Sequence, residues 1–281
     1  MSRDERGIST VVDVSVFLLL VSAAVFSVVT APADPVGATV TPERDEATVE
    51  TLATTTTTVG YDLGVDDRTG EPIERVRHGT LAELLAEAAV ANASVDGTPT
   101  SPYAAGFVDA VRASVTPLFD GRTQVVATWR PLPGSGLVGE VRVGPTPPAG
   151  ATVHAATLSV DSGMPAARDS ALAASSGGYG RVADVAARRT VDGLFPPRRT
   201  RVALRGGAAD AVVVRERFAS MRSTYGSETT FDAGVEPATT DLAVAVAERT
   251  ERSFERRFET PRAAAESVRT ARVTVVVRTW S

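Results

Sequence analysis

Residues 14–31 form one run with neither charge nor proline, whereas later hydrophobic stretches alternate with polar positions. At 1.5 Å rise per residue, eighteen helical residues reach about 27 Å, close to the roughly 30 Å of hydrocarbon that a spanning helix must cross. The run predicts a transmembrane helix over residues 14–31 behind a head of residues 1–13. Pro32, Pro35 and Pro42 stop that helix from continuing, so residues 32–47 read as a stalk and residues 48–281 as a folded domain.

Within the domain the period of the pattern switches several times. Residues 49–63 are threonine-rich and end with Val59, Tyr61 and Leu63 on one face, which predicts a strand. Thr80 and Glu83 have capping-box spacing, and Leu81, Leu84, Leu85 and Ala88 follow as a helical stripe ending near Asn92. A second helix is expected over residues 103–115. Strands are expected over 124–130, 137–143 and 153–160, where the period becomes two, and the short turn at 131–136 favours a hairpin. Helices return over 181–194, 209–225 and 239–258, and residues 272–280 close the chain as a strand. The order implies an α+β fold: an N-terminal transmembrane helix followed by a mixed, mostly antiparallel sheet domain with several helices.

Composition narrows the chemistry. The chain has no cysteine, which excludes disulfides, thiolate nucleophiles and thiolate metal sites. Every basic residue is arginine, a usage that resembles GC-rich, salt-adapted archaeal proteins. The first 180 residues hold 21 acidic residues against 11 arginines; the remaining 101 hold 13 against 18. A basic C-terminal part beside an acidic remainder suits a partner- or lipid-facing side.

No constellation points to catalysis. His78 and His154 have no second histidine at ligand spacing and read as structural. Asp62, Asp66, Asp67 and Glu71 form an acidic turn that misses the calcium-loop pattern. Gly134-Ser135-Gly136 and Gly177-Gly178-Tyr179-Gly180 are turn glycines, incomplete against nucleotide fingerprints. The expectation is therefore no catalytic residue, no cofactor and no metal, with neither nucleic acid nor an evident small-molecule substrate among the partners. Two surface features stand out: Arg198, Arg199 and Arg201 as a basic loop for a polyanion or partner protein, and Asn92-Ala93-Ser94 as a glycosylation acceptor.

On the residues alone the N-terminus stays open between an uncleaved signal anchor and secretory cleavage near Ala31. A third outcome comes from resemblance. Arg6-Gly7-Ile8-Ser9-Thr10-Val11-Val12-Asp13, leading into the apolar run, resembles the N-terminus of archaeal type IV pilin-like proteins. That resemblance implies cleavage after Gly7, a mature chain starting at Ile8, and an assembly role for Asp13 beside the free amine of a neighbouring subunit. The anchor, residues 80–92 and residues 122–129 together resemble uncharacterised haloarchaeal membrane-anchored proteins akin to those accompanying pilus or secretion systems.

Two functional expectations follow. The first is a non-enzymatic surface component, pilin-like or accessory to secretion, held in the lipid bilayer with its N-terminus cytoplasmic and its bulk extracellular, meeting other membrane or surface proteins. The second is an anchored extracytoplasmic ligand-binding or sensory domain. A concave pocket with convergent polar groups would favour the second; a broad exposed apolar patch would favour the first.

Overall fold

The computed structural model describes residues 43–66, 72–206 and 208–281. The expected transmembrane run, with Gly7, Ile8 and Asp13, lies outside the described residues. Among the described residues no helix is long and apolar enough to cross a membrane.

The folded part is α+β with antiparallel sheets, built as two cores. It opens with helix α1 (Glu43–Thr54), which begins inside the segment expected to be a stalk. Asp45, Thr48 and Leu52 share its buried face and pack towards the sheet, where Asp45 accepts a hydrogen bond from Thr279. The strand expected over 49–63 is thus corrected in its first part. Residues 49–54 are helical because Leu52 has a core to enter, and tertiary burial overrides the weak helix propensity of threonine.

The chain then turns into β1 (Thr56–Asp66), which pairs antiparallel with β2 (Pro72–Thr80) as a separate two-stranded sheet. The last residue of β2 also caps the next helix. Thr80 is extended, its Oγ1 accepts from Glu83 N, and Glu83 Oε2 accepts from Thr80 N at 2.8 Å, so the capping box read from sequence is present. Helix α2 (Leu81–Ala91) is the centre of the first core, with Leu81, Leu84, Leu85 and Ala88 buried. Helix α3 (Ala105–Val115) packs beside it.

The main sheet has six strands, all antiparallel, in the order β4-β3-β6-β5-β8-β7. They are β3 (Ala93–Val95), β4 (Thr98–Pro99), β5 (Thr123–Trp129), β6 (Leu137–Val143), β7 (Val153–Asp161) and β8 (Arg272–Trp280). β5 and β6 form the expected hairpin, with Val125 opposite Val143 and Trp129 opposite Gly139. Val125, Ala127, Val141, Val275 and Val277 belong to the core under α2, while Arg142, Thr157, Ser159 and Thr274 stand exposed on alternate positions. One face packed and one wet is the usual state of an antiparallel sheet.

The second core lies between two adjacent strands of the sheet. Leaving β7, the chain makes α4 (Arg168–Ala174), α5 (Gly178–Leu194), α6 (Pro197–Arg205), α7 (Ala208–Tyr225), α8 (Val235–Arg257) and α9 (Pro261–Glu266), then returns as β8. Alanines 183, 186 and 187 of α5 let its backbone approach α8, where Leu242, Val246 and Phe254 fill the space. Phe195, Phe218 and Phe231 form an aromatic cluster with centroids 4.1 to 6.3 Å apart. Leu132, from the β5–β6 turn, is buried in this helical core.

The neck of the insertion is closed by hydrogen bonds through Thr270. Its carbonyl accepts from Trp129 Nε1 at 2.9 Å and Ser162 Oγ at 2.8 Å. Its hydroxyl donates to Pro165 O and accepts from Ala167 N. Further out, Arg249 pairs with Asp96 and lies over the Tyr225 ring, whose hydroxyl donates to Ser135 O. Burial, its largest cause, pushes the Tyr225 phenol up to about 12.

Candidate functional site

A cleft of about 500 Å³ lies where the β1–β2 sheet, the end of α2 and the start of α3 face helices α6 and α7. Its size falls in the range of small-ligand sites. One wall is largely apolar: Tyr61 and Leu63 from β1, Val90 and Ala91 from α2, and Phe107 from α3, with the Tyr61 and Phe107 rings 4.9 Å apart. The absence of a side chain at position 106 allows β1 to sit this close. A Cβ there would fall 2.3 Å from the carbonyl oxygen of Asp62.

The charged lining is three arginines against one carboxylate: Arg77, Arg199, Arg217 and Glu87. Glu87 faces Arg77 at 3.7 Å. Arg217, on α7, differs from both. One of its terminal nitrogens donates to Val90 O at 2.9 Å, whereas its Nε is sealed from solvent and has no hydrogen-bond partner. Among the described residues this is the one buried side-chain polar atom left without a partner. Burial lowers the guanidinium from its ordinary value to about 10. A buried donor without an acceptor costs free energy, and a guanidinium fork is shaped for carboxylate or phosphate.

Three other arginines of β2, α6 and α7 are engaged. Arg75 pairs with Asp210 at 2.5 Å, and Arg201 with Glu236. Arg222 faces the carbonyls of Ser227 and Glu228.

The basic run read as a loop is corrected. Arg198, Arg199 and Arg201 lie on α6, which Pro197 opens in the first helical turn, where proline is favoured. Burial of Thr200 orients that helix and separates the three: Arg198 is exposed, Arg199 lines the cleft, and Arg201 reaches Glu236. Arg217, missed in the sequence, is one arginine among several in a long helix. No local pattern distinguishes it.

Asn92 ends α2 beside a second, more open hollow lined with Ser94, Arg112, Val138, Glu140 and Arg142. Its Nδ2 donates to Glu140 O at 2.7 Å, so the nitrogen a glycan would take already has a partner. Arg112 and Arg142 there are ion-paired with Asp109 and Glu140. His78 lies 3.0 Å from Thr58 Oγ1 on the β1–β2 sheet, and His154 is half-buried on β7. Asp62 turns back to accept from Gly64 N, and Asp67 and Glu71 lie outside the described residues. Among the described residues no group of three or more histidine, aspartate or glutamate side chains could hold a metal ion.

No curated protein and no solved structure matches the chain. Residues 12–280 match a family model described as "Family of unknown function (DUF7284)", and the chain belongs to that family.

Proposed function

We propose that the chain is a membrane-tethered binding protein whose folded part holds a small ligand in the cleft between the β1–β2 sheet and helices α6 and α7. The observation that carries this reading is the cleft itself: an apolar wall in one lining with three arginines, one of which holds an unsatisfied buried nitrogen. Exposed large apolar side chains, by contrast, are few. Among the described residues they are Val76, Leu118, Val153, Val202 and Val244, one to an element, which is little material for a broad assembly patch. The uncharged run at residues 14–31 supplies the tether, with the folded part outside the cell.

Thermal-shift measurements on the full chain in detergent test the binding role. A varied set of neutral and charged small molecules should include some that stabilise the protein saturably, and filling the cleft with Ala91→Trp should remove the effect. Failure of every compound, or a shift indifferent to that substitution, overturns the reading. The tether is tested by alkaline extraction of membranes, which should leave the chain in the pellet; a soluble product beginning near Ala33 overturns it.

The second reading, a pilin-like or secretion-accessory component of a salt-adapted archaeon, is supported by the segment Arg6 to Asp13 and the exclusive use of arginine. It requires a mature mass beginning at Ile8, and Asp13→Ala should reduce co-sedimentation of assembled chains. An intact Met1 start, or unchanged assembly, overturns it.

A further inference from the structure

The geometry points to an oxyanion, carboxylate or phosphate, as the group that the cleft recognises, with Arg217 and Arg199 as its partners. This rests on the cleft being the binding site. Three features of the wall argue for a negative ligand. First, the arginines are not neutralised locally: Glu87 is the one carboxylate in the lining and stands opposite Arg77, while Asp210 on α7 is taken by Arg75. Second, Arg217 is anchored at Val90 O through one terminal nitrogen, so its planar fork is held and little entropy is lost when an oxyanion meets the remaining donors. Third, its Nε is buried and unpartnered, which leaves the guanidinium short of acceptors, and an oxyanion meeting its remaining terminal donors offsets part of that cost.

The rest of the lining describes the body attached to that group. Tyr61, Tyr103, Leu63, Val90 and Phe107 give rings and branched carbons on one side, and the volume exceeds what a bare phosphate fills. Arg199, exposed on α6 and lining the cleft, adds a second positive charge that solvent reaches.

The test is a titration of the full chain in detergent at fixed ionic strength with matched probes. Phenyl phosphate is paired with phenol, benzoate with benzamide, and inorganic phosphate is run alone. We expect saturable stabilisation by the charged member of at least one pair and none by its neutral counterpart. Arg217→Gln and Arg199→Ala should each weaken it tenfold or more. Inorganic phosphate matching phenyl phosphate would identify a free ion as sufficient; a response to the organic anions alone would identify an oxyanion carried on an apolar body.

Equal response to charged and neutral probes, or indifference to both arginine variants, overturns the oxyanion assignment. If Ala91→Trp still blocks that response, the binding role survives. No response to any compound overturns both. Should Arg217→Gln fail to fold, Arg199→Ala together with the charged-against-neutral difference decides the matter.

Discussion

Thr270 uses both of its oxygens to hold the two ends of the helical insertion together. Thr270→Val keeps the shape of the side chain but leaves the Ala167 amide and the Pro165 carbonyl without that partner in a buried neck. The cost of such orphaned groups is about 1–3 kcal/mol, read as a lower denaturant midpoint. Thr157→Val on the exposed sheet face, the control, should stay within about 0.5 kcal/mol. Asp241 illustrates a different kind of residue effect. Hydrogen bonds from the Thr229 amide, the Ser227 hydroxyl and the Glu228 amide hold its carboxyl down at about 2. A depressed acid stabilises the fold at pH values above its unfolded range, near 4, and that contribution fades as pH falls towards 2. Asp241→Asn should therefore be less stable than the parent at pH 6, and most of the gap should be gone by pH 2. A gap of constant size would rule out the carboxylate as its source. Because Asp241 is close to solvent, the effect will be small and weakened further by salt.

At the scale of elements, α2 crosses β6 at a point where no side chain fits. A Cβ on residue 139 would lie 1.9 Å from the carbonyl oxygen of Ala89, backbone against backbone, so Gly139→Ala must push the helix off the sheet. Overpacking of this sort costs about 1–3 kcal/mol or more, and thermal unfolding should register it as a fall in Tm. By contrast Gly121→Ala, where nothing lies within 4 Å, should leave Tm nearly unchanged. The same helix marks how far local signals reach. Its capping box, its stripe and its stop near Asn92 are written within a dozen residues, and so are the β5–β6 hairpin and the closing strand β8. Elements whose reasons are distant were hidden. The β2 strand presents Glu74, Arg75, Arg77 and His78 because its small sheet is mostly exposed, which leaves no alternation to read. Residues 49–54 look like the strand beyond them until Leu52 is given a core. The cleft was the least legible feature of all, since Tyr61, Val90, Arg199 and Arg217 meet only through the fold; the Arg198–Arg201 run gave a single thread towards it. For α6 a usable sign was present, proline at position 197 ahead of the arginines, but the density of charge masked it.

On the scale of the whole molecule, the placement of the helical core between β7 and β8 determines how the protein unfolds. The two cores are distinct clusters, yet Leu194 and Tyr225 pack against both, Leu132 from a sheet hairpin is buried in the helical one, and the neck is closed by Thr270. An insertion pinned at both ends to neighbouring strands should melt with the sheet that frames it. The chain supplies its own reporters for a test. Its two tryptophans, Trp129 on β5 and Trp280 on β8, both sit in the main sheet, whereas most helical residues among those described belong to the insertion. Tryptophan fluorescence thus follows the sheet and far-ultraviolet circular dichroism follows chiefly the helices. The two transitions should coincide in denaturant for the full chain, and Thr270→Val, by loosening the neck, should begin to part them, with the helical signal lost first. Separate transitions in the parent would mean that the cores fold independently and that the hydrogen bonds at the neck merely decorate a hinge. In that case the cleft, whose walls come from both the β1–β2 sheet and helices α6 and α7, would lose its fixed geometry and the arginines their common target.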